Sequence, residues 1–442
     1  MMQRRSMLRL GAAAALSPWA QLQALAQSTP PGDDYRALVC LFMFGGNDGN
    51  NLLVPTDARW NEYQRARPNL ALARASLLPL NFTNPAAGAT YGLHPAMPGL
   101  QGLVNAGKAS FVANIGPLQQ PTTMAQFRAR SVPLPYNLYS HSDQQGAAQS
   151  SVADAPGRNG WGGRLLERSV ATDLGNRGYS AISVAGGSLW LAGDRSLTPY
   201  RVSSSGRFGL DFYSPSGSDP LSVAIAATMA ETRSDPFEQT WLNIMGRSIE
   251  NQRVLTGALN GSTLTTVFPD TEIGRQLQMI ARLTAARGSL GLSRQCFFCS
   301  IGGFDTHGDD QLQRQNELFG EISAAVTAFQ AALVELKLDQ KVTLFSASDF
   351  GRTLSSNGAG TDHGWGNHQF VMGPAVPGGR LLGTFPEMKV GGTDDVGQGV
   401  WLPTTSTEQL GAQLARWYGA DAATVAGIFP RASQFEALRG TI

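Results

Sequence analysis

Two short apolar runs that bracket one long amphipathic stretch constrain this chain more than any other feature. Cys296 to Ile301 and Val342 to Ser346 have the length and punctuation of buried strands. Between them Leu318, Ile322, Val326, Phe329, Leu333 and Leu336 recur every three or four residues, the period of one helix face. Strand, helix and strand within about 50 residues read as a right-handed crossover unit of a parallel sheet. Ala37 to Phe44 and Ala109 to Ile115 are two further runs of the same kind. The expected fold class is α/β, a mainly parallel sheet flanked by helices.

Ligands of such sheets collect outside the carboxyl ends of the strands, so the residues just after each run carry the most information about function. The sequences there are "GGNDGNN", "GPLQQPTT" leading to "LYSHSDQQ", "GGFDTHGDD" and "SDFGRT". Asp48, Asp305, His307 and Asp349 therefore come directly after strands, and Ser140, His141 and Asp143 come after a longer connection. "GAGTDHGWGNHQF" adds Asp362, His363 and His368. Four of the five histidines fall in these clusters, and only His94, before a proline in "GLHPAM", stands apart as a turn cap. Asp and His together ligate Zn²⁺, Mn²⁺ or, with more oxygens, Mg²⁺ or Ca²⁺. Such an ion polarises an ester oxygen and acidifies water or a hydroxyl. The same residues also build ordinary turns, for which Asn, Asp and Gly are favoured. Recurrence of one chemistry after strand after strand weighs toward a site.

The two ends and the middle read differently. Residues 1–26 carry Arg4, Arg5 and Arg9, an apolar segment from Leu10 to Trp19 and an Ala24-Leu25-Ala26 cleavage pattern, together a twin-arginine export signal. A periplasmic or otherwise exported protein is expected, with the twin-arginine machinery as a partner and often a prosthetic group acquired before export. No other uninterrupted apolar stretch reaches the ~18 residues of a membrane span, so no stable transmembrane segment is expected. The 34 basic and 33 acidic residues nearly cancel, and no basic run is interleaved with aromatics, which excludes nucleic acid as a partner. Three cysteines are too few for a disulfide scaffold, and the "CFFC" pair within an apolar run reads as buried thiols. The 51 glycines and 24 prolines imply many loops. Residues 27–442 are expected to form a single α/β domain with an insertion around 186–290. In "TTSTEQLGAQLARWYG", Thr405 and Glu408 fit a capping box, and Leu410, Leu414, Trp417 and Tyr418 share one helix face. There is no G-x-S-x-G elbow, Walker loop, H-E-x-x-H or G-x-G-x-x-G after the first strand.

"FMFGGNDGNNLLVP", "GLHPAM", "YSHSDQQ", "GWGGRLLE", "GGFDTHGDD", "SASDFGRT", "GTDHGWGNH" and "LPTTSTEQLGAQLARWYG" occur in that order between Asp34 and Phe435. In these motifs the chain resembles the bacterial domain-of-unknown-function 1501 family, which in turn resembles the alkaline phosphatase and sulfatase superfamily. The resemblance implies an alkaline phosphatase-like core with loop insertions. It implies an exported, metal-dependent hydrolase or transferase of phosphate or sulfate esters. It gives Asp48 the place of the first metal ligand, Asp305 and His307 that of the middle pair, Asp349 that of the strand-end aspartate and His363 that of the late histidine, beside Asp362. Ser140 takes the place of the nucleophile, with His141 and Asp143 as its catalytic neighbours. Arg352 and Arg164, with Asn47 and Asn50, become candidates for holding anionic ester oxygens. The chain departs from the superfamily at Phe350, where many two-metal relatives carry a second histidine, and in the short spacing of Asp305 and His307. It also lacks the C-x-P-S-R or S-x-P-S-R sulfatase signature. Single-metal, rearranged and lost sites are the alternatives, and a non-catalytic exported protein binding an envelope glycan or protein is the second functional reading.

Overall fold

The apolar runs lie side by side in one sheet. The structure, a computed structural model, describes residues 34–169, 177–195, 197–205, 213–214 and 217–440; residues 1–26, where a twin-arginine signal is expected, lie outside them. Among the described residues the main sheet has nine strands: β1 (Arg36–Met43), β2 (Ala109–Gly116), β3 (Ala181–Ser183), β4 (Tyr200–Arg201), β5 (Arg294–Ile301), β6 (Val342–Ser348), β7 (Asn367–Met372), β8 (Leu381–Leu382) and β9 (Thr405–Ser406). Their order is β8-β2-β7-β6-β1-β5-β3-β4, with β9 pairing β2 off this path. The expected α/β class is borne out. β1 pairs in parallel with β5 through Leu38↔Cys296 and with β6 through Val39↔Leu344. β1 from Ala37 to Met43 and all of β2 are buried, as in a parallel sheet covered on both faces.

β7 is a strand that its sequence does not announce, and it runs antiparallel to both β2 and β6. Its "NHQFVM" mixes polar and apolar residues and offers no clean apolar run. Asn367 pairs with Ile115 near the end of β2, so β7 begins at the edge where the parallel strands finish. The loop that enters it, carrying Asp362 and His363, is thereby delivered to the same edge.

Five helices matter to the site: α1 (Gly49–Leu52), α2 (His141–Ser150), α3 (Trp161–Ser169), α4 (Gln311–Glu335) and α5 (Thr407–Tyr418). α4 is the expected crossover between β5 and β6 and buries Leu318, Ile322, Val326, Phe329 and Leu333. By length and composition it could cross a membrane, yet over half of its apolar window is buried inside the protein, as in a core helix. α3 and α5 supply Trp161, Leu165, Leu410 and Leu414 to a core with Leu38, Cys40 and Phe42 of β1. The α5 cap is Ser406 with Gln409, not Thr405 with Glu408. Thr405 pairs with Ile115 in β9, so the chain is still extended there and turns helical one residue later. Cys40, Cys296 and Cys299 are buried free thiols, and burial pushes the Cys296 thiol up to about 12.

The described chain divides into two compact units. The larger spans Arg36–Arg207, Leu264–Arg282 and Arg294–Ile442 and contains the sheet. The smaller draws on Phe208–Thr263 and Leu283–Ser293. Its helices Pro220–Ala230 and Pro236–Asn260 are each N-capped by an aspartate, Asp219 and Asp235, with proline in the first turn.

Candidate metal centre

Beyond β5 the chain turns through Gly302 and Gly303 to Asp305 and His307. Beyond β6 it passes Asp349 and Phe350 into a hairpin, Arg352–Ser356 against Thr361–His363, that pairs Arg352 with His363. α2 brings His141 as its first residue. These elements converge on the Asp305 carboxylate. His141 Nε2 lies 3.4 Å from its Oδ2, and His307 Nε2 and His363 Nε2 lie 2.9 and 3.4 Å from its Oδ1. His307 and His363 face each other through Nε2 at 3.1 Å.

Each imidazole is held from behind by its other nitrogen. His141 Nδ1 is 2.7 Å from Asp349 Oδ2, His307 Nδ1 is 3.3 Å from Asp362 Oδ1, and His363 Nδ1 is 2.8 Å from the Tyr139 carbonyl. A carbonyl or an ionised carboxylate only accepts, so each Nδ1 donates rearward and each Nε2 points inward, free to ligate when it carries no proton. This is how a protein orients metal-binding histidines. The rear acceptors are themselves fixed. Asp349 is buried and accepts from Gln145 Nε2 at 2.8 Å and from the Gly45 amide at 3.2 Å, and Asp362 accepts from Asn357 Nδ2 at 3.0 Å. Tyr139 holds its carbonyl in place with a φ of 74°, in the left-handed region that a bulky residue seldom adopts.

The donor set fits a divalent metal ion. His141, Asp305 and His363 offer ligand atoms within 4.8 Å of one another. Bonds of about 2.0–2.1 Å around a tetrahedral ion put its ligands about 3.3–3.4 Å apart, close to the separations found here. His141 Nε2 is buried and, although near Asp305, has no hydrogen-bond partner among the described residues. Burial lowers the proton affinity of His363 and outweighs the opposing pull of its bond to Tyr139. Burial pushes the Asp305 carboxyl up, but the Arg352 hydrogen bond and the charges of Arg352, His141 and His307 prevail and hold it below its ordinary range. Both groups are thus biased toward the deprotonated forms that ligate.

Phe350 backs the cluster, its ring 4.8 Å from that of His141 and 4.6 Å from that of His363. Gly45 and Gly46 make the approach of the loops feasible. They have φ of 113° and 81°, and a Cβ at Gly46 would stand 2.4 Å from the Phe350 ring.

Other residues singled out in the sequence are placed differently. The Asp48 carboxylate is sealed beneath α1, paired with Arg67 Nη1 at 2.8 Å and accepting from Gln311 and Gln315 at 2.9 and 3.0 Å. Asp349 stands behind His141. Arg352 is buried with all three guanidinium nitrogens engaged by Asp305, Gly45 and Thr361. Arg164 is buried and donates to the Ser150 and Gly160 carbonyls. Asn50 joins the Arg352 carbonyl to the Trp401 indole, whereas the buried Asn47 side chain has no hydrogen-bond partner among the described residues. Ser140 precedes α2, and its hydroxyl donates to Asp143 at 2.7 Å. His368 is buried, stacked on Phe385, and its Nδ1 accepts from the Asn114 amide. His94 accepts from the Ala96 amide, the expected turn cap.

Sequence reasoning missed Arg67, Gln145, Asn357 and the Tyr139 carbonyl. Gln145 had a usable signal, since it stands four residues after His141 on one helix face. Arg67 and the Tyr139 carbonyl had none, being a lone arginine in a polar stretch and a backbone atom.

No curated protein matches the chain in sequence. Among solved structures it is similar to a sulfatase from Pseudoalteromonas sp., with TM-score 0.35, 11% identity, and coverage of 96% of this chain and 77% of that one. It is also similar to the C-terminal periplasmic domain of EcEptC from Escherichia coli, solved as a complex with Zn, with TM-score 0.34, 11% identity and coverage of 92% and 89%. A third similar structure is the lipoteichoic acid synthase LtaP from Listeria monocytogenes, with TM-score 0.30, 8% identity and coverage of 83% and 74%. The family likeness carried by the motifs is borne out in the second half of the chain, where residues 248–426 match the family described as a protein of unknown function, DUF1501.

Proposed function

We propose that this protein is an exported, metal-dependent hydrolase or transferase of phosphate or sulfate esters, with a single zinc-like ion held by His141, Asp305, His307 and His363. The observation that carries this reading is the convergence of three Nε2 atoms on one half-exposed carboxylate, each imidazole tied from behind. Three imidazoles and one carboxylate suit zinc better than the oxygen-seeking Mg²⁺ or Ca²⁺. A divalent ion there supplies Lewis acidity toward an ester oxygen and acidifies an attacking hydroxyl. The chain supplies the rest. Ser140 precedes the first ligand, at the N-terminus of α2, where developing negative charge is favoured. Its hydroxyl already donates to Asp143, which would take the proton as Ser140 Oγ bonds to phosphorus or sulfur while the ester P–O or S–O bond breaks and the alcohol leaves with a proton from solvent. Water or an acceptor alcohol, returning a proton to solvent, then displaces Ser140, which regains its proton from Asp143. The ester class comes from the motif resemblance, and export from the twin-arginine pattern in residues 1–26.

A screen of aryl phosphates and sulfates, with and without added Zn²⁺, tests the reading. Turnover that requires the metal and is lost in both His141→Ala and Ser140→Ala supports it, and metal-independent turnover contradicts it. Two observations favour the non-catalytic alternative. Four protein donors are enough to saturate a tetrahedral ion, as in structural sites, and Arg352 has no free nitrogen for an anionic ligand. Tight metal retention without turnover of any ester would select that alternative.

A further inference from the structure

A cavity adjoins the candidate metal centre, and its chemistry is unlike that of the centre. It lies among α2, α3, α5, the ends of β2 and β6 and the start of β7, and is walled by Trp161, Phe345, Phe350, Trp365, Leu410 and Leu414. Polar residues reach it as well, but apart from the Thr407 hydroxyl and Gln369 Nε2 their groups are already engaged. Ser346 donates to Gln369, Ser348 to the Met43 carbonyl, Asn367 to the Phe350 carbonyl and the Trp365 indole to the Pro117 carbonyl. Both Asp349 oxygens are taken by His141, Gln145 and Gly45. What the cavity offers a ligand is therefore apolar contact and few hydrogen bonds, which selects for hydrocarbon or aromatic groups over sugars.

Two residues belong to both places. Asp349 lines the cavity and fixes His141; Phe350 lines it and packs on His141 and His363. Resting on the reading that the centre handles an anionic ester, we propose that this cavity receives the apolar portion of the substrate. The cavity holds about 60 Å³, so the substrate class is then a phosphate or sulfate ester whose alcohol carries a short alkyl group.

The test uses the full zinc-loaded chain, a series of n-alkyl phosphates and sulfates from methyl to decyl, and the matching n-alkyl phosphonates as non-hydrolysed probes read by tryptophan fluorescence. Each methylene buried should tighten binding roughly fourfold over about the first two carbons, the length that about 60 Å³ admits, and then level off, seen as falling KM for the esters and falling Kd for the phosphonates. Ala148→Phe projects a ring into the cavity from α2 and should flatten this dependence. Length-independent binding of the phosphonates by the wild-type protein would overturn the proposal, as would a folded Ala148→Phe variant with an undiminished length dependence. Length-dependent phosphonate binding without turnover of any ester would support the cavity's role and sink the hydrolase reading, so the two failures are told apart. Should Ala148→Phe not fold, the wild-type length series still decides.

Discussion

Asp48 and Asp305 stand beyond the carboxyl ends of neighbouring strands, β1 and β5, and the protein treats them in opposite ways. Asp48 has no exposed side-chain surface, is paired with Arg67 and accepts hydrogen bonds from two glutamine amides. The Asp305 side chain is 47% exposed, and around it stand three imidazoles whose outer nitrogens are tied down. A buried carboxylate must be saturated to be tolerated at all, and saturation leaves it no lone pair for a cation. Asp305 shares its oxygens with groups that can exchange a proton for a metal. Position at a strand end therefore marks a candidate, and the burial and partners of the carboxylate decide its use.

Replacing Arg67 by Met presses this contrast hardest. It strands the Asp48 charge and should cost about 3–5 kcal/mol of stability, read by urea unfolding, with little change in zinc affinity below the transition. Asp305→Asn keeps an oxygen for Arg352 and removes the charge. It should weaken zinc binding by more than the roughly 10–100-fold typical of an outer partner, measured by competition with a chromogenic chelator, while the fold survives. Asp349→Asn alters the partner of His141 rather than a ligand, and should fall within that roughly 10–100-fold range. An effect as large as that of Asp305→Asn would make Asp349 a ligand and redraw the centre.

Smaller effects probe the supports. Tyr139→Gly preserves the left-handed backbone and so the carbonyl that holds His363, whereas Tyr139→Val opposes it. The glycine variant should bind zinc like the parent, and the valine variant a few-fold more weakly, under about tenfold. The smallest effect on zinc binding is expected from His368→Asn, since His368 is buried against Phe385 and outside the centre. Burial depresses the proton affinities of His368 and His94 to about 3 and about 4, while the unfolded chain takes up those protons near about 6.5. Their stabilising contribution is thus complete above that pH and is lost as pH falls toward the folded values. Melting temperature should decline on acidification below about 6.5, less steeply in His368→Asn.

Much of this arrangement was legible in the sequence because it derives from topology. β1, β2, β5, β6 and α4 announce themselves by periodicity, and the strand-end rule puts Asp305, His307 and Asp349 at one edge; Asp362 and His363 reach that edge through β7, which no apolar run announces. The direction of a side chain was not legible. Nothing in "SASDFGRT" says that Asp349 faces His141 and not the opening, or that Arg352 turns inward to Asp305, Gly45 and Thr361. Asp48 depends on Arg67, 19 residues on, and on two glutamines from a distant helix, contacts that only the folded chain assembles. The α5 cap slipped by one residue because pairing of Thr405 with β2 overrides a local capping preference.

The most direct test is elemental analysis of the full-length protein purified without chelator, as wild type, His141→Ala and Asp48→Asn. The account predicts about one equivalent of divalent metal in the wild type and in a folded Asp48→Asn, and none in His141→Ala. Metal retained in His141→Ala, lost from a folded Asp48→Asn, or missing from a wild type that also binds no added zinc would contradict it.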